Sequence, residues 1–269
     1  MRKMRRTGID KLHTLLFGQD LRITEGEPYC QVRPFDFAAD FEPRHLTKPL
    51  PAPAGEVFDI RTFGADPAVE DNAVAVQQAV DAAAKVGGTV LVDGGSYPMS
   101  TVELRSGVTL FITPGSFLAA RPDGKGFRHK VLLYGRDLIN VTLTGGGGLE
   151  GEGHRFGLRP ALPQNCTKPA NLIDVIEMRR TYRAQLRFAH PSKYGGLLCL
   201  EQCQGVHIHH FLFQNSAHWT CRLQMCRDVR IEYAAIRNNR NVANADGFDI
   251  VGGWAGLDLS PLYGVFCGR

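Results

Sequence analysis

No two cysteines of this chain stand in a CxxC spacing; the seven occupy positions 30, 166, 199, 203, 221, 226 and 267. That excludes a zinc ribbon and a thioredoxin-type motif, and the odd number does not fit a complete disulfide framework. Small thiols packed in a core are the expected reading. The body of the chain also lacks a charge excess. Arg2, Lys3, Arg5 and Arg6 supply the whole formal charge of +4, so residues 7–269 are balanced, which argues against a nucleic-acid-binding surface. Long apolar runs are missing too. None approaches a membrane span, and no signal-peptide core follows the basic start before Arg22, so a soluble, cytoplasmic protein is expected. Hairpin dipeptides are scarce, Asp93-Gly94 and Asp123-Gly124 being the exceptions upstream of residue 246. A sandwich built from hairpins would need more.

What the chain does have is a repeat. Gln204-Gly205-Val206-His207-Ile208 and Arg227-Asp228-Val229-Arg230-Ile231 lie 23 residues apart, each preceded by a cysteine, Cys203 or Cys226. Both alternate apolar with polar side chains, the period of a strand. Gly107-Val108-Thr109-Leu110 and Asn140-Val141-Thr142-Leu143 look similar, each followed by a glycine-containing turn. Short strands and turns recurring at this spacing without regular helix predict a parallel β-helix, in which each coil stacks on its neighbour. One helix is expected ahead of the coils. Asp71-Asn72 can cap it, and Val74, Val76, Ala79, Val80, Ala83 and Ala84 form an apolar stripe up to Gly87-Gly88. Such a helix would cover the end of a solenoid that otherwise exposes its cross-section and strand edges. Thr89–Val92 and Val102–Leu104 are expected strands around a turn at Gly94-Gly95. The expected organisation is an extension and proline-rich linker over 1–55, a β-helix over 56–251 with a long insertion at about 154–195, and a divergent tail over 252–269.

Phe63-Gly64-Ala65-Asp66, Asp71-Asn72, Val76–Ala83, Gly87-Gly88-Thr89-Val90 and Gly95-Ser96-Tyr97 resemble the N-terminal signature of pectinase-type right-handed β-helix proteins. Further on, Gly147–Gly153, Phe213–Trp219 and Asn244-Ala245-Asp246-Gly247-Phe248-Asp249 resemble successive motifs of glycoside hydrolase family 28, the polygalacturonases and rhamnogalacturonases. The resemblance covers about residues 56–251. It implies an all-β, right-handed parallel β-helix and inverting hydrolysis of α-1,4-galacturonan or a related acidic plant polysaccharide, with no cofactor and no metal. Inversion uses an acid and a base on opposite faces of the bond, roughly 6.5–9.5 Å apart. By the resemblance Asp246 is the general base. Asn244 could touch the substrate or bridge coils, and Trp219 could stack on a sugar or fill a buried corner. Asp249 is expected to be structural.

The family also leads one to expect an aspartate pair one coil later, then Gly-His-Gly and Arg-x-Lys. None follows Asp246, and the only later carboxylates are Asp249 and Asp258. The expectation is therefore a β-helix incomplete at its C-terminal end, with little or no hydrolase activity of its own and self-association through an open last coil. Two other classes compete: a non-catalytic polysaccharide-binding or structural β-helix, and a lyase or epimerase on the same scaffold.

Other motifs have plainer readings. His207, His209 and His210 lack a ligand-spaced carboxylate or cysteine and read as solvated strand surface. Gly146–Gly151 satisfies GxGxxG, but no helix is expected after it, so dinucleotide binding is rejected. Asn140-Val141-Thr142 and Asn165-Cys166-Thr167 would be glycosylation sites only in a secreted chain. Arg179, Arg180, Arg183 and Arg187 could be a solvated face or a source of positive potential for a polyuronate.

Overall fold

The period-two segments become parallel strands stacked coil upon coil. A computed structural model describes residues 49–153, 195–238, 245–252, 256–259 and 262–264. Most of the N-terminal extension, the insertion with its arginines and Asn165, Asn244, and Cys30, Cys166 and Cys267 lie outside the described residues.

Strand β1 (Val57–Asp59) leads through a 3-10 turn at Ile60–Phe63 to helix α1 (Ala73–Ala84). The first full coil is β2 (Thr89–Val92), β3 (Ser96–Met99) and β4 (Val102–Glu103), and the next is β5 (Thr109–Ile112), β6 (Phe117–Ala120) and β7 (Val131–Arg136). Then come β8 (Ile139–Thr144), β9 (Gly148–Glu150) and β10 (Gly196–Glu201), followed by β11 (Gln204–Gln214) and β12 (Cys221–Gln224). Strands β13 (Arg227–Arg237), β14 (Phe248–Val251), β15 (Leu257–Leu259) and β16 (Leu262–Gly264) complete the described elements. Every pairing among them is parallel.

The strands form two sheets, but the larger has two arms, so the coil has three walls. One arm is β1-β2-β5-β8 and the first half of β11; the other is β3-β6-β9 and its second half. Both β11 and β13 run through the corner between the arms, turning at His210 (φ 48°) and Tyr233 (φ 50°). The third wall is β4-β7-β10-β12-β14.

Inward-pointing residues form rows along the axis. Val90, Leu110, Leu143, Ile208 and Ile231 are register partners on the first wall, and each is at most 1% exposed. Tyr97, Leu118, Leu149, Phe213 and Ile236 run along the second, and Val102, Leu133, Leu198, Cys221 and Phe248 along the third. Burying each large apolar side chain of these rows contributes about 1.5–3 kcal/mol. The expected pairing of residues 204–208 with 227–231 is present, Val206 opposite Val229 and Ile208 opposite Ile231.

Helix α1 packs on β1, the 3-10 turn, β2 and β4, as a cap at the N-terminal end should. Two details differ from the sequence reading. Asn72 makes no side-chain bond to the helix; Asp71 accepts the Ala73 N–H instead, while Asn72 ties the turn to the Pro98 carbonyl. Val74 is 71% exposed. The buried set is Ala75, Val76, Ala79, Val80 and Ala83, because the stripe with spacing i, i+3, i+4, i+7 starts at Val76 and Val74 falls behind it.

The glycine run at 145–148 serves close coil packing, with strand β9 following it. A Cβ on Gly145 would stand 2.3 Å from the Ile112 carbonyl oxygen, and one on Gly147 2.3 Å from that of Thr113. Cys199, Cys203, Cys221 and Cys226 are free and buried, as small core thiols should be. Beyond residue 251, β15 and β16 add to β13 in parallel register.

Candidate active site

The edge at which each third-wall strand begins brings Trp219 and Asp246 together. Cys221 pairs with Phe248, so Trp219 and Asp246, each two residues earlier, hold equivalent places in successive coils. The Asp246 carbonyl accepts the Thr220 N–H at 3.0 Å, and the Gly247 carbonyl accepts the Cys221 N–H at 3.0 Å. These bonds fix the backbone while the Asp246 side chain remains exposed. Trp219 is 37% exposed, so it stands at the rim and does not fill a buried corner. His218 meets its ring edge-on at 4.7 Å, and the Arg222 guanidinium lies over it, 5.1 Å from the ring centroid.

Arg222 points outward from β12, in register between Cys199 and Asp249. Its Nε is buried with no hydrogen-bond partner. Asp249 is half-buried between Phe248 and Ile250, both packed against the core. Below Arg222 on the same wall, Glu201 accepts from the Tyr134 hydroxyl at 3.0 Å and from the Arg136 guanidinium. Burial works against its ionisation, but the bonds from Arg136 and Tyr134 outweigh burial and hold its pKa below the usual range. Glu201 is thus an engaged carboxylate and no proton donor. Burial pushes the Cys199 thiol up to about 11, which removes it as a nucleophile at neutral pH.

A polar column beneath the edge positions it. Asn238, 2% exposed, donates from Nδ2 to the Ala245 carbonyl at 3.0 Å and to Thr220 Oγ1 at 2.5 Å, and its Oδ1 accepts the Ser216 N–H at 3.0 Å. It therefore clamps the residue before Asp246 to the segment carrying Trp219. One coil away Asn215 donates to Glu150 Oε2 at 2.9 Å, and the Glu152 N–H donates to Oε1 at 2.9 Å. Asn215 and Asn238 are 23 residues apart, the spacing of the strand repeat itself. That coincidence is the signal through which sequence reasoning could have found them.

Burial raises the Glu150 carboxyl from 4.5 to about 7. A raised carboxyl pKa stabilises the fold most below the unfolded value, and that contribution fades as pH rises through the folded value. Stability is expected to fall by up to about 3 kcal/mol from this group as pH rises from about 4.5 to 7 and beyond. Urea unfolding across pH 5–8 checks this, with Glu150→Gln expected to flatten the profile relative to wild type.

The histidine cluster needs a correction. Glu232, from the next coil and 6% exposed, meets His207 Nε2 at 3.1 Å; His207 and His209 stack at 4.2 Å, and His210 is 2% exposed against Tyr233. It is a packed inter-coil network and not solvated surface, because the carboxylate comes from a neighbour in space that the strand's own sequence does not contain. Among the described residues, no group of three or more His, Cys, Asp or Glu could hold a metal ion. Of the expected site residues, then, Asp246 and Trp219 come together, Asn244 lies outside the described residues, and Arg222, His218 and Asn238 are additions.

No protein-family model and no curated protein matches the sequence. Solved structures do match. A "putative glycosyl hydrolase" from Parabacteroides merdae aligns over 79% of this chain and 98% of its own, with a TM-score of 0.54 at 20% identity. The family 28 exopolygalacturonase of Yersinia enterocolitica gives a TM-score of 0.51 at 18% identity over 69% of this chain. The polygalacturonase of Erwinia carotovora ssp. carotovora gives 0.51 at 14% identity over 82%. The chain is a right-handed parallel β-helix. It spans only 41% of the Yersinia enzyme and 65% of the Erwinia enzyme. At this identity the likeness is one of fold, and a β-helix acquires its function from the site it carries.

Proposed function

We propose that this β-helix binds α-1,4-galacturonan or a related pectic polysaccharide along the Trp219–Asp246 edge, and that Asp246 holds the general-base position of an inverting, polygalacturonase-type hydrolysis. The observation that carries the reading is an exposed carboxylate in the coil position equivalent to an exposed tryptophan, beside a guanidinium that makes no ion pair among the described residues. An aromatic platform and a cation suit an acidic sugar. The fold shared with enzymes named as polygalacturonases supports it. In this mechanism Asp246 takes a proton from the attacking water, while a second carboxyl group across the bond protonates the leaving oxygen.

Binding is the property this edge can supply by itself, whereas turnover also requires the second carboxyl group. Wild type and Asp246→Asn are to be compared on polygalacturonate for binding and for reducing-end release. The expected result is retained binding in both and loss of any release by at least about 100-fold in the variant. Release unaffected by Asp246→Asn would contradict the assigned base. Saturable binding without reducing ends from wild type would favour the non-catalytic reading. Ultraviolet-absorbing unsaturated products would mark a lyase and sink the hydrolase proposal.

A further inference from the structure

We propose that Arg222 is the residue that selects a carboxylate-bearing sugar over a neutral one at this edge, an inference that rests on the polysaccharide reading above. Three other arginines of the described coils are engaged by carboxylates. Arg128 bridges Glu103 at 3.0 Å, Arg136 is bound to Glu201, and Arg121 holds Asp71 at 2.9 Å and Asp123 at 2.8 Å. Arg222 has no hydrogen bond or ion pair among the described residues, although Asp249 and Cys199 flank it in register. Its one directed contact is the face of Trp219.

A guanidinium can lie on an aromatic face and still present its in-plane N–H groups to a carboxylate, because it is planar and weakly hydrated. A sugar resting against the exposed part of Trp219 therefore brings its carboxylate within reach of the guanidinium that lies over the ring. A carboxylate arriving beside Arg222 gains a charge-assisted hydrogen bond to the guanidinium. A neutral or esterified sugar brings no anion. Glu201, one coil away, is bound by Tyr134 and Arg136 and gives Arg222 only a longer-range attraction without a hydrogen bond.

The test is calorimetric titration, at fixed ionic strength, of galacturonate oligomers and of their methyl esters into wild type, R222Q and R222K. Wild type is expected to prefer the acid by at least about 10-fold. R222Q is expected to lose about 10- to 100-fold for the acid with the ester unchanged, so that the preference disappears. R105Q, removing an arginine paired with Asp81 away from this edge, is expected to change neither affinity. Should R222Q not fold, R222K decides: a point charge without the fork is expected to lose about 10-fold for the acid alone. Acid preference surviving in the folded Arg222 variants overturns the assignment of Arg222 and leaves the polysaccharide reading standing. Failure of wild type to bind either oligomer overturns both.

Discussion

Gly148→Ala is expected to abolish folding, or to cost more than about 3 kcal/mol if the protein still folds. A Cβ at this position would lie 1.8 Å from the Leu212 carbonyl oxygen and 2.6 Å from its carbonyl carbon. Those atoms are backbone of β11, which is paired to β9 on one side and β13 on the other. They cannot yield as the tip of a side chain would, because moving them breaks inter-coil hydrogen bonds across the stack. Gly115→Ala makes the contrast. Its Cβ would meet nothing within 4 Å, though its φ of +80° is unfavourable for alanine, so a cost of about 1–2 kcal/mol is expected. Thermal unfolding distinguishes them, a loss of 3 kcal/mol being a fall of roughly 6–12 °C for a chain of this size. Equal behaviour of the two variants would mean that coil packing at Gly148 is looser than the structure shows.

Asn238→Ala is expected to cost about 3 kcal/mol and to weaken polygalacturonate binding by at least about 10-fold. The side chain satisfies the Ser216 N–H, the Ala245 carbonyl and Thr220 Oγ1 in a site excluded from water. Alanine leaves all of them without that partner, each buried polar group costing about 1–3 kcal/mol, and a water entering the space recovers part of it. The binding loss follows from position, since Ala245 immediately precedes Asp246 and Ser216 leads into Trp219. Urea unfolding and a binding titration on the same variant measure the two effects. A destabilised variant with undiminished affinity would show that Asn238 supports the fold without placing the edge.

The walls of the β-helix were legible because they obey a simple rule. Alternation in Val206-His207-Ile208 and Val229-Arg230-Ile231 reports the inward face, and a repeat of 23 residues reports the coil. The corners were not. Asp137, Gln202, Met225 and Gly252 occupy equivalent corners in successive coils, all with φ between 54° and 66°. Glycine marks only one of these left-handed positions. The others are held by bonds between coils, such as Gln202 N–H to the Gln224 carbonyl and Met225 N–H to the Val251 carbonyl, both 2.8 Å. Side chains so unlike one another give no local turn signal. The same reasoning explains the site. Asp246 stands in a recognisable motif, but Arg222 looks like any polar residue on an outward strand position until its place over the Trp219 ring is seen. Glu232 and Asn238 act on residues of neighbouring coils, contacts that no window of sequence displays.

The most direct test of the account is a tryptophan-fluorescence titration with galacturonate oligomers. The chain has two tryptophans, Trp219 and Trp254, and a sugar resting on an exposed indole changes its emission. Saturable change is predicted for wild type, lost in Trp219→Phe, where only Trp254 still reports, and weakened at least about 10-fold in Arg222→Gln. An unchanged wild-type spectrum with no binding by calorimetry, or a titration that survives Trp219→Phe intact, would contradict the placement of the polysaccharide at this edge.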